Sequence, residues 1–115
     1  MSQWGFLSAV VCAMLGLSLA AAWWGEAWAG DPAQGKAKAA MCRTCHGIDG
    51  LAKIPTAPHL AGESQVYLAT QLKAFRSGKR EHEVMSLIAA QLTDQDIENL
   101  AAWYSSIEIS VTVPE

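Results

Sequence analysis

Positive charge is missing from the first 35 residues of this 115-residue chain: none of its eight Lys and Arg residues precedes Lys36. Over the same stretch Glu26 is the one acid before Asp31. Cysteine is scarce as well, with Cys12, Cys42 and Cys45 the whole complement. Charged residues make up 17% of the chain and the formal net charge is −3, which argues against a nucleic-acid binder. Internal repeats and low-complexity tracts are absent, and no domain boundary shows beyond the amino-terminal segment.

That segment runs almost without interruption through apolar and small side chains from Phe6 to Gly25. Ala27-Trp28-Ala29 follows with the small-x-small form of a signal-peptidase site, so residues 1–29 read as a signal peptide cleaved after Ala29. The missing basic start and a run of about 20 apolar residues keep a second reading open, an uncleaved membrane anchor. Trp4, Trp23, Trp24 and Trp28 sit at the two ends of that run, where interface aromatics gather. Either reading exports the remainder, and the periplasm is the expected location. Residues 30–115 then form one domain with eight basic against ten acidic residues, a formal charge of −2.

Within this domain Cys42-Arg43-Thr44-Cys45-His46 is the stretch that fixes chemistry. Two thiols separated by two residues can add across the two vinyl groups of one haem, and the histidine that follows is placed to coordinate the iron. A bare Cys-x-x-Cys also occurs in dithiol oxidoreductases, but those need strands around a βαβ unit and this chain reads as helices throughout. A zinc site would have to recruit His59 and His82 as third and fourth ligands, at spacings that fit no common pattern. One covalent haem c is therefore the expected cofactor. An 86-residue domain also has a limited core of its own, and a large apolar macrocycle would add to it.

The helices are legible from their ends. Asp31-Pro32 supplies an N-cap and a first-turn proline, and the first helix is expected to run to about Cys45, with Gly35, Ala39 and Cys42 forming a stripe of small residues. Residues 47–63 carry Gly47, Gly50, Pro55, Pro58 and Gly62 and read as a loop. A second helix is expected from Ser64 to about Ser77, stopped by Gly78, with Leu68, Leu72 and Phe75 buried. After a turn over 81–84, a short helix runs from Met85 to about Gln91. Thr93 caps the last helix, whose apolar face is Ile97, Leu100, Ala101 and Tyr104, with Trp103 and Ile107 beside it. The β-branched tail from Glu108 is left extended or frayed.

Downstream candidates for a second axial ligand are Met85, His82 and His59; Met85 lies 39 residues after His46, enough chain to return on the opposite face. A thioether opposite histidine raises the reduction potential, because soft sulfur favours the ferrous state. The basic cluster Lys73, Arg76, Lys79 and Arg80 reads either as a solvated helix end or as a docking patch for an acidic redox partner.

These residues resemble the class I c-type cytochromes, most closely the small bacterial cytochrome c553/c4 type that occurs singly or in tandem. The likeness rests on Gly35 seven residues before Cys42, on Cys42, Cys45 and His46, on Pro58-His59-Leu60-Ala61-Gly62, on the stretch from Tyr67 to Arg80, on Met85, and on Leu92 through Tyr104. It implies an all-α fold wrapped around one haem c. It also implies thioethers at Cys42 and Cys45, and His46 as proximal ligand oriented by the Pro58 carbonyl. Met85 is then the distal ligand, and Gly35 and Trp103 belong to a crossing of first and last helices. The implied function is a non-enzymatic electron carrier. Its partners would be a quinol-oxidising complex or dehydrogenase as donor and an oxidase, reductase or photosynthetic centre as acceptor. The alternative is a haem subunit docked permanently on a dehydrogenase.

Overall fold

The computed structural model describes residues 30–115, and the amino-terminal segment read as signal peptide or anchor lies outside them. Five α-helices occupy the described chain: α1 Pro32–Lys38, α2 Arg43–His46, α3 Gln65–Ser77, α4 Met85–Ala89 and α5 Asp94–Ser105. No strand is present among the described residues, and no helix there is long and apolar enough to cross a membrane.

The ends of these helices are set by local chemistry. Asp31 Oδ1 accepts the Ala33 N–H at 2.8 Å, with Pro32 opening α1. Ser64 Oγ accepts the Tyr67 N–H at the start of α3, and Gly78, at φ +79°, closes it in the left-handed region that glycine enters without steric cost. At α5, Thr93 Oγ1 accepts from Asp96 N–H while the Asp96 carboxylate accepts the Thr93 N–H, a reciprocal capping box.

The sequence predicts one helix from Pro32 to about Cys45. The structure instead tightens residues 39–41 into a 3-10 turn between α1 and α2, with the Cys42 N–H bonded back to Ala39 O. Neither glycine nor proline causes this. Ala39 is fully buried and Cys42 packs against the same core. In an α-helix those two positions diverge by roughly 60°, whereas in a 3-10 turn residues three apart eclipse. The tight turn lets both face inward.

α5 is the centre of the packing. α1 crosses it at Gly35, where a Cβ would lie 1.9 Å from Asn99 O and 2.8 Å from Trp103 Cβ, so the two backbones touch. Asn99 is itself buried, and its Oδ1 accepts the Asp31 N–H at 2.8 Å from across the crossing. α3 lies on α5 through Leu68, Ala69 and Leu72 against Ile97, Leu100, Ala101 and Tyr104. Ion pairs rim both contacts: Lys38–Asp96 at 3.1 Å, Lys73–Glu98 at 2.7 Å, and Arg76–Asp94. Arg76 also donates to Leu92 O, and the Arg80 guanidinium stacks 4.5 Å from the Phe75 ring centroid. Three of the four residues in the basic cluster are thus engaged with their own fold, which supports the solvated-helix reading over a free docking patch.

These pairings give the fold an acid limit. The Ala33 N–H holds the Asp31 carboxyl below its usual range, Arg76 does the same for Asp94, and the Thr93 N–H for Asp96. A depressed folded-state pKa contributes stability above the unfolded value of about 4 that is lost as pH falls through the folded value. The thermal midpoint should therefore hold level from neutrality to about pH 5 and decline below about pH 4. Asp94→Asn should make that decline shallower. A decline of unchanged steepness in Asp94→Asn would show that the pair with Arg76 carries none of it.

Candidate functional site

Cys42, Cys45 and His46 sit on the 3-10 turn and α2, directly before the 47–63 loop. Both cysteines are free thiols, half-buried and unbridged. Burial pushes the Cys42 thiol up to about 11, opposed by its contact with the Tyr104 hydroxyl, so it stands protonated at neutral pH. His46 is buried, and its Nδ1 lies 2.9 Å from the Pro58 carbonyl oxygen. A carbonyl only accepts, so Nδ1 carries the hydrogen and the lone pair of the neutral ring is on Nε2. No hydrogen bond to Nε2 is present among the described residues. The arrangement is that of a metal-ligating histidine whose remote nitrogen is held by the chain.

The loop that brings Pro58 to His46 is fastened at both ends. Gly50 O accepts from Leu60 N–H at 2.7 Å and from Ala61 N–H at 3.1 Å, closing its middle. Lys53 N–H reaches Cys45 O at 2.8 Å. Gly50 has φ +71°, and a Cβ there would lie 2.5 Å from Ala61 N, so both its conformation and its space require glycine. His59 is exposed and accepts the Ala52 N–H on its Nδ1, which makes it a loop brace.

The end of α5 ties the loop to the core. Tyr104 Oη donates to Gly47 O at 3.0 Å, Trp103 Nε1 donates to Ile48 O at 3.1 Å, and Gly62 N–H donates to Tyr104 O at 2.9 Å. The sequence shows Tyr104 only as part of an apolar face. Its hydroxyl is the functional part: it holds the residue after His46 and touches the Cys42 thiol. Burial raises the Tyr104 pKa, so the hydroxyl stays a donor. Tyr104→Phe leaves the buried Gly47 carbonyl with the Gly50 N–H at 3.3 Å as its remaining donor and should cost about 0.5–1.5 kcal/mol, read as a lowered thermal midpoint of the matured protein. A change within error would mean that water replaces the lost donor.

Met85 opens α4 and is half-buried. His82, the rival ligand, is exposed and turned to another task. Its Nδ1 accepts the Val84 and Met85 N–H groups at 3.2 and 3.3 Å, and its ring meets Phe75 edge-on with centroids 6.5 Å apart. It caps the start of α4.

The apolar inventory suits a large flat apolar group. Ile97 is the largest side chain that is fully buried, and much of the remaining core is alanine. Meanwhile Met41, Ile48, Leu51, Ile54, Tyr67 and Val84 remain 37–50% exposed around the cysteine motif and its following loop, in the first turn of α3 and before Met85. Two half-buried thiols, an oriented imidazole and unspent apolar surface together fit haem c.

Comparison with known proteins agrees. The cytochrome c family model matches residues 32–108. Cytochrome c4 of Pseudomonas aeruginosa is 43% identical over 83 residues, covering 72% of this chain and 41% of the relative. Cytochrome c-554(548) of Halomonas halodenitrificans is 43% identical over 83 residues, 70% of this chain and 100% of the relative. A thiosulfate dehydrogenase electron acceptor of Thiomonas intermedia is 38% identical over 97 residues, 81% of this chain and 42% of the relative. Among solved structures, reduced recombinant cytochrome c4 from Pseudomonas stutzeri superposes with a TM-score of 0.67 at 38% identity, over 72% of this chain and 48% of that one. The chain thus spans less than half of these cytochrome c4 relatives and the whole of cytochrome c-554(548). It belongs to the cytochrome c family, as a small class I member with one covalently bound haem c.

Proposed function

We propose that the protein is an exported single-haem electron carrier, non-enzymatic by itself, with Cys42 and Cys45 as thioether residues and His46 and Met85 as axial ligands. The observation that carries this reading is the His46 Nδ1–Pro58 O hydrogen bond, which leaves Nε2 as the one nitrogen able to bind metal. Haem c supplies the one-electron ferrous/ferric couple. The chain's part is to keep both ligands still, so that little reorganises when charge changes. Pro58 fixes the ring of His46, Tyr104 and Trp103 fix the backbone after it, and His82 caps the turn that presents Met85.

A second reading, docking on a dehydrogenase, is favoured by the likeness to a thiosulfate dehydrogenase electron acceptor. It concerns the donor and leaves the site unchanged. Optical spectra of the matured protein, oxidised, reduced and with carbon monoxide added, test the proposal. A weak far-red sulfur-to-iron band and a ferrous form indifferent to carbon monoxide are expected. Ready carbon monoxide binding would replace the carrier reading with a ligand-binding one.

A further inference from the structure

The family match ends at residue 108, yet the chain continues with an ordered pattern. From Ile107 to Val113 apolar β-branched residues alternate with polar ones: Ile107, Ile109, Val111 and Val113 on one side, Glu108, Ser110 and Thr112 on the other. That is the pattern of a half-buried β-strand. The structure gives it no ladder: residues 108–115 are in no regular element, and Ile109, Val111 and Val113 are 57%, 76% and 78% exposed. No strand is present among the described residues, so a strand partner has to come from outside them.

We infer that residues 107–113 pair antiparallel with the same residues of a second copy, forming a two-stranded ribbon across a twofold axis. The sequence is self-complementary in one full-length register. With Ser110 on the axis, Ile107 faces the partner subunit's Val113, Ile109 faces the partner subunit's Val111, and Glu108 faces the partner subunit's Thr112. Apolar pairs with apolar, and no like charges meet. Pro114, which has no N–H, ends the ladder just beyond Val113. An isolated two-stranded ribbon is marginal, but this one would not be isolated. Ile107 already packs on the core, and the Ile109 side chain lies over Gly62, where a Cβ would come within 3.1 Å of it. The apolar face of the ribbon therefore continues the domain core, and the contact is isologous, which closes at two copies.

Sedimentation of the matured protein over a concentration series should show a reversible dimer. The chain truncated after Ile107 should be monomeric across the same range while keeping its optical spectrum. Register is read by oxidative cross-linking, since haem attachment consumes Cys42 and Cys45. Ser110→Cys should form a disulfide dimer at least about tenfold faster than Thr112→Cys, because Ser110 faces its own symmetry mate within cross-strand distance and Thr112 does not. A wild-type protein monomeric throughout, a dimer that survives truncation, or equal cross-linking at the two positions would each overturn the inference.

Discussion

Met85→His will lower the reduction potential of the matured protein by on the order of 0.1 V or more, within the ~0.8 V that axial ligation spans. The sign follows from the donor: a thioether favours the ferrous state and an imidazole favours it less. Met85→Ala should remove the far-red band and let the ferrous protein bind carbon monoxide. The informative comparison is His82→Ala. His82 is three residues away and could in principle compete, but its Nδ1 is spent on the Val84 and Met85 N–H groups and its ring lies against Phe75. Losing it removes a cap, worth about 1 kcal/mol, and should leave the far-red band in place. A far-red band that persists in Met85→Ala would exclude Met85 as the sulfur donor.

The contrast between those two residues marks where sequence stops being sufficient. Both are plausible ligands by spacing, and the motif around His82 gives no sign that it caps a helix. Short-range chemistry was legible: Asp31, Ser64, Gly78 and Thr93 act within three or four residues of themselves, so their roles show in the string. The attachment motif was legible for the same reason. The 3-10 turn at residues 39–41 was not, because Ala39 and Cys42 turn inward only in response to a core built from α3 and α5. Asn99 was also missed. It lies in the polar-looking Glu98-Asn99 step, and only the crossing with α1 buries it and aligns it with the Asp31 N–H. One signal was available: Gln95, Asn99 and Trp103 form an i, i+4, i+8 stripe on the helix that the resemblance sets against Gly35. The basic cluster remained ambiguous for a related reason. Lys73 and Arg76 meet Glu98 and Asp94 because α3 and α5 run antiparallel where they touch, which no local pattern shows.

The tied loop also bears on the carrier role. Of the structure around His46, the loop that carries Pro58 has the fewest buried apolar side chains, with Leu51 and Ile54 well exposed. Its fixity depends on polar fastening: Gly50 to Leu60 and Ala61, Tyr104 to Gly47, and Trp103 to Ile48. Such bonds are modest singly, about 0.5–1.5 kcal/mol each, but they are directional. Directionality is what holding an imidazole in one orientation requires.

Gly35→Ala should be the most damaging small substitution in the domain. Its backbone is not among the positive-φ glycines, so alanine fits the local conformation and would gain about 1 kcal/mol of helix propensity. The obstacle is space. The new methyl would stand 1.9 Å from Asn99 O and 2.6 Å from Asn99 C, backbone atoms that no rotamer change can move. α1 would have to lift from α5, stretching the Asp31 N–H bond to Asn99 and opening the contact of Gly30 with Glu98 O. Overpacking typically costs about 1–3 kcal/mol and occasionally more; with two backbone atoms this close, Gly35→Ala belongs above that range, at roughly 3–5 kcal/mol, so a net loss of about 2–4 kcal/mol is expected after the propensity gain of about 1 kcal/mol. For a domain of this size that is a fall of roughly 10–25 °C in thermal midpoint. Gly78→Ala supplies the opposite case: nothing lies within 4 Å of its Cβ position, and only its φ of +79° resists a side chain. It should lose about 1–2 kcal/mol. If Gly35→Ala yields too little matured protein to melt, the haem content of the exported fraction gives the same ordering. A Gly35→Ala protein as stable as Gly78→Ala would mean that the crossing can slide apart without loss. The close approach of α1 and α5 would then not be what holds the cysteine motif against the core.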